Sequence, residues 1–255
     1  MNRKAITVQN LKVGVGDKEI LKGVSLNFCL GKNYCLLGKN GSGKSTLSAF
    51  LMGHPKYEYI SGEVNIDGKD LLSLPPEERS QAGLFLSFQN VPEIKGIKLS
   101  EYLRTIYNIH LLSKRPVSKE ETCLKGGLSP FVFKRFIKKY LEELHIEESF
   151  LNRELNVGFS GGEKRKIEML QMKLIGPKYI ILDEIDSGLD LDAFKKVAEL
   201  LKSINNENNS LIIITHYFKI LNYVDVDEVY VIKQGLVDKK GGKELIDNIK
   251  KKGYE

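Results

Sequence analysis

The feature that most constrains this chain is a glycine-rich stretch, GKNGSGKST, at residues 38–46. An apolar run at residues 34–37 precedes it, and a helix-forming run at residues 47–52 follows it and stops at Gly53. A G-x-x-x-x-G-K-[ST] match binds phosphate when it connects a strand to a helix in this way. The sequence therefore predicts a buried strand, a phosphate-binding loop and a helix in succession.

The residue types in this loop suit the phosphates of a nucleotide. Its glycines allow backbone conformations closed to other residues, so that successive N–H groups point at one anion. The helix that begins near Lys44 adds its positive N-terminal end, Lys44 adds a charge, and the Ser45 hydroxyl is a ligand for Mg²⁺. The alternative, a glycine-rich turn that carries a lysine by chance, leaves both flanks unexplained. We expect a nucleoside triphosphate with Mg²⁺, bound through Gly38, Asn40, Gly41, Ser42, Gly43, Lys44, Ser45 and Thr46.

Composition limits the class of protein. A length of 255 residues with 42% hydrophobic residues fits one large α/β domain or two small ones. No apolar run approaches the ~20 residues of a membrane span, and the N-terminus leads into a strand pattern without a signal peptide, so we expect a cytoplasmic protein. Because Cys29, Cys35 and Cys123 form no C-x-x-C pair, we expect neither disulfides nor a metal cage.

The charge balance bears on possible partners. A net charge of +6 and a pI near 9.0 are compatible with nucleic acid or an acidic membrane surface. The basic excess is spread along the chain, however, whereas a nucleic-acid footprint is clustered on one face. A solvated, lysine-rich surface is therefore favoured, and nucleic-acid binding is not expected.

Hydrophobic periodicity divides the chain into three regions. Antiparallel β elements are predicted within residues 1–70, because alternation indicates strands with one face in water. Residues 93–176 have helical spacing and indicate a helical insertion. The remainder alternates buried strands with helices, as an α/β core does. The predicted strands are 5–8, 11–15, 24–28, 62–68, 84–88, 179–182 and 211–214, with a hairpin at 228–237; the predicted helices are 47–52, 99–112, 131–145, 160–175 and 194–204.

Polar side chains follow three of the predicted buried strands. Beside a phosphate loop, Asp183 is placed to hold Mg²⁺ through water, and Glu184 is placed to polarise an attacking water. His216 and Gln89 follow two other strands, at the edge where α/β sheets bind ligands. The alternatives are a solvated acidic turn for the carboxylates and an ordinary loop residue for Gln89. We predict that Glu184, His216 and Gln89 are catalytic and that Ser45, Gln89 and Asp183 bind the metal.

A second glycine-containing helix start lies at residues 160–163. Ser160 and Glu163 form an S-x-x-E capping box, which by itself accounts for both residues. Gly161 and Gly162 are not explained by capping, because glycine weakens the first turn of a helix. A phosphate that approaches the N–H groups of Ser160, Gly161 and Gly162 would explain them. Since this site lies far along the chain from the first loop, we expect two copies to bind face to face, each completing the other's nucleotide site.

Together these segments resemble the ATP-binding-cassette (ABC) ATPase family along essentially the whole chain. The matches are residues 38–46 to the Walker A loop, Gln89 to the Q-loop, 160–163 to the signature, Asp183 and Glu184 to Walker B and its catalytic glutamate, 187–190 to the D-loop and His216 to the switch histidine. The resemblance implies an α/β P-loop NTPase fold of the ABC type, with an antiparallel β subdomain, a RecA-like core and a helical subdomain in one domain over residues 1–255. It also implies hydrolysis of ATP with Mg²⁺.

Several departures from transporter cassettes indicate one branch of this family. The signature reads F-S-G-G-E instead of L-S-G-G-Q, and Ile185 and Asp186 stand where those cassettes have proline and threonine. Residues 92–96, 153–164, 215–217 and 253–254 resemble the SufC-type ATPases of Suf iron–sulfur cluster assembly. That resemblance implies SufB/SufD-like scaffold partners, which carry the cluster, and no membrane domain.

Two other classes stay open. The first is the nucleotide-binding subunit of an ABC membrane transporter, which would couple to a permease through the same helical region. The second is a nucleic-acid-associated or ribosome-associated ABC ATPase, which the basic pI allows. Such proteins usually carry paired cassettes or long inserts, and this chain has neither.

The residue beneath the base is also unusual. Val15 stands where many cassettes place an aromatic residue under the adenine, so base stacking is reduced. We therefore expect weak nucleotide affinity and loose discrimination between ATP and GTP. Submicromolar binding of mant-ATP by the monomer would contradict this expectation.

Overall fold

The structure is a computed structural model that describes residues 4–113, 127–185, 191–215 and 218–254. In chain order, its elements are β1 (Ala5–Val15), β2 (Lys18–Cys29), β3 (Tyr34–Leu37), α1 (Lys44–Leu51), β4 (Glu58–Ile66), β5 (Lys69–Asp70), α2 (Pro76–Gln81), β6 (Leu84–Ser87), β7 (Ile94–Lys98), α3 (Leu99–Ser113), α4 (Pro130–Glu143), β8 (Glu154–Leu155), α5 (Gly161–Ile175), β9 (Tyr179–Asp183), α6 (Leu191–Ile204), β10 (Ser210–Ile214), β11 (Glu228–Lys233), β12 (Leu236–Gly241) and α7 (Lys243–Lys252).

These elements form two compact units. Among the described residues, the first unit contains 4–89, 177–185 and 198–254, and the second contains 90–113, 127–176 and 191–197. In the described part of the chain, no helix is both long and apolar enough to cross a membrane.

A four-stranded antiparallel sheet in the first unit has the strand order β2-β1-β4-β5. The prediction of separate strands at 5–8 and 11–15 is wrong, because β1 runs through both. Its register shifts between Val8 and Leu11, where Asn10 takes a φ of 48°. Such a bulge inserts residues without ending the strand, so a break in the alternation was mistaken for the end of a strand.

The second sheet of this unit has the strand order β12-β11-β3-β10-β9-β6, in which β12 is antiparallel to β11 and the other neighbours are parallel. Every residue of β3, β6, β9 and β10 is buried, as expected for parallel strands covered on both faces. In the register, Ile214 of β10 lies opposite both Leu36 of β3 and Asp183 of β9. The predicted α/β fold class with an antiparallel β subdomain is confirmed.

The core of the first unit joins its two sheets. Apolar side chains of the antiparallel sheet pack with those of the parallel strands and of α1 in one buried cluster. Phe28, Tyr34 and Tyr230 form an aromatic group at its centre, with the Phe28 ring 5.0 Å from that of Tyr34 and 6.0 Å from that of Tyr230. This packing holds α1, and therefore the loop before it, against both sheets.

The second unit is mainly helical. Helices α3, α4 and α5 form near their predicted ranges, and α4 buries Phe133, Ile137 and Leu141 at helical spacing. Ser129 caps α4 by accepting a hydrogen bond from Val132, and Pro130 is its first residue, as is common at helix starts. The pairing of β7 with β8 was not predicted.

Asp67 links the two sheets of the first unit and gives a stability prediction. It lies at the β4–β5 turn with a φ of 50°, and its carboxylate accepts hydrogen bonds of 2.6 Å from both Lys178 and the Tyr179 hydroxyl. Because asparagine also tolerates this backbone conformation, Asp67→Asn removes mainly the charge. We expect the free energy of unfolding to fall by about 2 kcal/mol in urea titrations. Asp238→Asn, at an exposed position, is the control; equal stability of both variants would contradict this role.

Candidate nucleotide-binding and catalytic site

The loop between β3 and α1 is held tightly at its first glycine. A Cβ atom on Gly38 would lie 2.2 Å from the carbonyl oxygen of Ile232 in β11 and 2.7 Å from the Ser42 hydroxyl. At the other end, Gly43 caps α1 with a φ of 112°, which disfavours residues with side chains. The Ser42 carbonyl accepts a hydrogen bond from the backbone of Gly235, which ties the loop to the β11–β12 turn. The loop is therefore shaped by glycine and by contact with a neighbouring strand.

Lys44 is the first residue of α1 and is buried, with 4% of its surface exposed. Its ammonium donates to the carbonyl oxygens of Gly38, at 2.8 Å, and Lys39, at 3.1 Å. Burial lowers the pKa of Lys44, and the carboxylates of Glu184 and Asp183 oppose that shift. The lysine is thus folded back onto its own loop, where phosphate oxygens could replace the two carbonyls as partners.

Asp183, the last residue of β9, faces the start of α1. Its two carboxylate oxygens accept hydrogen bonds from the hydroxyls of Ser45, at 3.3 Å, and Ser48, at 3.2 Å. Burial raises the pKa of Asp183, whereas these hydrogen bonds and Lys44 favour the charged form. A buried carboxylate beside a serine hydroxyl is a hard oxygen donor set, and it fits the ligand preference of Mg²⁺.

Glu184 follows Asp183 in a left-handed backbone conformation, with a φ of 50°. Its backbone N–H donates to the carbonyl of Ile214 at 2.9 Å, and its carboxylate accepts a hydrogen bond of 2.6 Å from the amide of Gln89. The ends of β6, β9 and β10 therefore meet at this point, as expected for neighbouring parallel strands. The structure brings Glu184 and Gln89, both predicted as catalytic, into direct contact.

The glycine pair of the signature lies in the second unit, at the start of α5. Ser160 and Glu163 form the predicted capping box: the Ser160 hydroxyl accepts from the Glu163 N–H, and the Glu163 carboxylate accepts from the Ser160 N–H at 2.7 Å. The hydrogen bond from the Ser160 backbone lowers the pKa of Glu163. Ser160 and Gly161 are exposed and Gly162 is half-buried. This helix end is open to an incoming ligand or chain.

The remaining predicted site residues differ in their exposure, and some lie outside the described part of the chain. Asn40 and Gly41 are exposed on the loop, Ser45 is exposed in the first turn of α1, and Thr46 is half-buried. Val15 ends β1 and pairs with Lys18 across a tight turn. His216 and the predicted D-loop at residues 187–190 lie outside the described residues.

Ser48 is a site residue that the sequence analysis missed. It is 2% exposed and donates to both Asp183 and the carbonyl of Ser45. Its position one turn beyond Lys44 places it on the same face of the helix, and this spacing is the signal that was available. The partner carboxylate is 135 positions away in the chain, so only the pairing of strands reveals the contact.

Comparison with known proteins agrees with this site. Residues 21–187 match the family model described as ABC transporter. The chain is 45% identical over 252 residues to the Cyanophora paradoxa protein "Probable ATP-dependent transporter ycf16", covering 99% of this chain and 94% of that one. It is 42% identical over 249 residues to the Escherichia coli (strain K12) protein "Probable ATP-dependent transporter SufC", covering 98% and 97%.

A solved structure gives the same fold. The ATP-binding subunit of an ABC transporter superposes with a TM-score of 0.76 at 23% identity, covering 98% of this chain and 95% of that one. The family match over the Walker A loop and Walker B strand, the relatives above 40% identity and the shared fold all agree. The chain belongs to the ABC ATPase family and is an ATP-hydrolysing cassette.

Proposed function

We propose that this chain is the ATPase subunit of a soluble, cytoplasmic iron–sulfur cluster assembly complex, and that it drives SufB/SufD-like scaffold partners. Full-length identity of 42% to a protein named SufC supports the proposal. So does the absence of C-x-x-C pairs from the sequence, since the cluster would then be carried by the partner.

The observation that carries this proposal is the pairing of two segments that resemble SufC-type ATPases. In the second unit, the Gly96 N–H donates to the Glu154 carboxylate at 2.9 Å, and the Lys164 ammonium lies 2.8 Å from the Glu93 carboxylate. Asn156 also donates to the carbonyl of Pro92 at 2.9 Å. Residues 92–96 and 153–164, which resemble SufC-type ATPases, thus form one connected element of the second unit.

For hydrolysis, Lys44 would exchange the carbonyls of Gly38 and Lys39 for the terminal phosphates of ATP. Ser45, Asp183 and Gln89 would hold Mg²⁺, with Ser48 orienting the aspartate. When bound, the metal supplies neutralisation of phosphate charge. Glu184 would orient and polarise the attacking water, and His216 would sense the γ-phosphate.

The described geometry suggests a resting arrangement of Glu184. Its carboxylate is engaged by Gln89 at 2.6 Å and its backbone takes a left-handed conformation. A non-glycine residue stays in this backbone conformation only because its surroundings hold it there. A carboxylate that already accepts a hydrogen bond is a weaker hydrogen-bond acceptor for the attacking water. We propose that closure around ATP separates this pair and frees Glu184 to act.

Closure would bring two copies of the chain together. Ser160, Gly161 and Gly162, which are exposed or half-buried, lie at the positive end of α5. In a face-to-face dimer, these groups would complete the nucleotide site of the other copy. The ATP-driven change from separate to closed cassettes is the movement that a bound scaffold would follow.

The alternative is a nucleotide-binding subunit of an ABC membrane transporter. The names of the relatives contain the word transporter, which favours this alternative. Both functions use the same ATP chemistry and differ in the partner alone, so identification of the partner separates them.

The catalytic glutamate gives a direct kinetic prediction. Glu184→Gln keeps the size of the side chain and removes its charge, so we expect turnover to fall by about 10²-fold or more. Binding of mant-ATP should be preserved, because the phosphate contacts come from the loop. Steady-state phosphate release measures the rate, with Glu199→Gln at an exposed position of α6 as the control. Near-normal turnover of Glu184→Gln would move the catalytic role elsewhere.

The contact between Ser48 and Asp183 gives a prediction for the metal. Ser48→Ala removes one hydrogen bond that orients the carboxylate, so we expect the Mg²⁺ concentration for half-maximal ATPase activity to rise about tenfold. Ser203→Ala is a matched control, because Ser203 also bonds the carbonyl three residues earlier, at 2.7 Å from Leu200. If the two variants have the same Mg²⁺ dependence, then Asp183 or Ser48 takes no part in binding the metal.

The partner is tested by capture of the trapped state. Tagged Glu184→Gln chain, expressed in its native host, is purified with Mg-ATP, and the retained proteins are identified by mass spectrometry. We expect soluble SufB/SufD-like scaffolds, and their recovery should fall with Lys44→Ala, which cannot hold the phosphates. Retention of an integral membrane protein in place of the scaffolds would overturn the proposed function and leave the ATPase chemistry intact.

A further inference from the structure

The last described residue, Tyr254, is anchored beside the Walker A loop. Helix α7 packs on β11 and β12 and buries Ile246 and Ile249. It ends at Gly253, whose φ of 78° turns the chain, and Gly253 donates to the carbonyl of Ile249 at 2.8 Å. The tyrosine that follows is half-buried, so it is held by a packed helix and a fixed turn.

Tyr254 lines a cavity of about 280 Å³ behind the loop. The other walls are residues 39–42 of the Walker A loop and the end of β11 with its turn, residues 231–234. Across this cavity the loop therefore faces Tyr254 and the end of β11.

Tyr254 and Lys44 both contact the backbone of Gly38, on its two sides. The Gly38 N–H donates a hydrogen bond to the Tyr254 hydroxyl, and the Gly38 carbonyl accepts from the Lys44 ammonium at 2.8 Å. Ile232 closes the remaining side of Gly38, where even a Cβ atom would collide. Burial raises the pKa of Tyr254, so its hydroxyl stays protonated at neutral pH and the contact does not change with mild shifts in pH.

We infer that Tyr254 is a positioning residue for ATP binding: it fixes the backbone of Gly38 and so preorganises the Walker A loop for the phosphates. A loop that is already in its bound shape loses less entropy when the nucleotide arrives, so Tyr254 contributes to affinity. This inference concerns the nucleotide site and does not depend on which scaffold or permease the ATPase serves.

The test uses the full chain with Tyr254→Phe, which removes only the hydroxyl, and Tyr254→Ala, which also removes the ring. Because one hydrogen bond is lost, we expect the Kd for mant-ATP and the KM for ATP of Tyr254→Phe to rise about fivefold. For Tyr254→Ala we expect at least the same rise. At saturating ATP, kcat should stay within about twofold of the original chain, because the filled site restores the loop. Tyr140→Phe, at a half-buried tyrosine of α4, is the matched control.

Three readouts separate positioning from a general structural role. A higher KM with unchanged kcat and an unfolding midpoint equal to that of Tyr140→Phe supports the inference. Original mant-ATP affinity of Tyr254→Phe overturns it, whatever the alanine variant shows. A fall in kcat without a change in Kd also overturns it, as does a loss of affinity that only follows a lower unfolding midpoint.

Discussion

The nucleotide site depends on the parallel register of β3, β10 and β9. That register places Leu36, Ile214 and Asp183 in one row across the sheet. The loop after β3, the Thr215 end of β10 and Glu184 after β9 consequently emerge at the same edge. The carboxyl ends of parallel strands lie at the same edge of the sheet. Residues that are far apart in the chain therefore meet there as a direct result of the strand pairing. A slip of one residue would separate Asp183 from the serines of α1 and leave its charge buried without partners.

Buried charge explains why this edge is closely arranged. Lys44 and Asp183 are both nearly enclosed, and burial disfavours the charged form of each. Each charge is stabilised by hydrogen bonds instead. Lys44 donates to loop carbonyls, and Asp183 accepts from two serine hydroxyls. These partners are replaceable by phosphate oxygens and a cation, so the same contacts that stabilise the free chain also preshape it for Mg-ATP.

Local sequence patterns predicted most of the features that are confined to a single strand, loop or helix start. The strand, loop and helix around Lys44 and the capping box at Ser160 follow from residue type and spacing alone, and the structure contains both. The bulge at Asn10 was missed, because an inserted residue breaks the alternation without ending the strand. The β7–β8 pair was missed since its strands are short and β7 is wholly exposed, which leaves no hydrophobic period to read. The contact between Ser48 and Asp183 depends on how α1 and β9 come together in the fold. The spacing of residues along the chain does not specify that arrangement.

The proposed dimer requires that a second copy of the chain complete each nucleotide site. Mixing equal amounts of Lys44→Ala and Gly162→Asp chains tests this requirement, since each variant alone lacks one half of every site. Half of the dimers formed on mixing are mixed, and each mixed dimer has one intact site of two, so recovery of about a quarter of the original ATPase rate is predicted. A mixture as inactive as either variant alone would contradict completion of the site by a second copy.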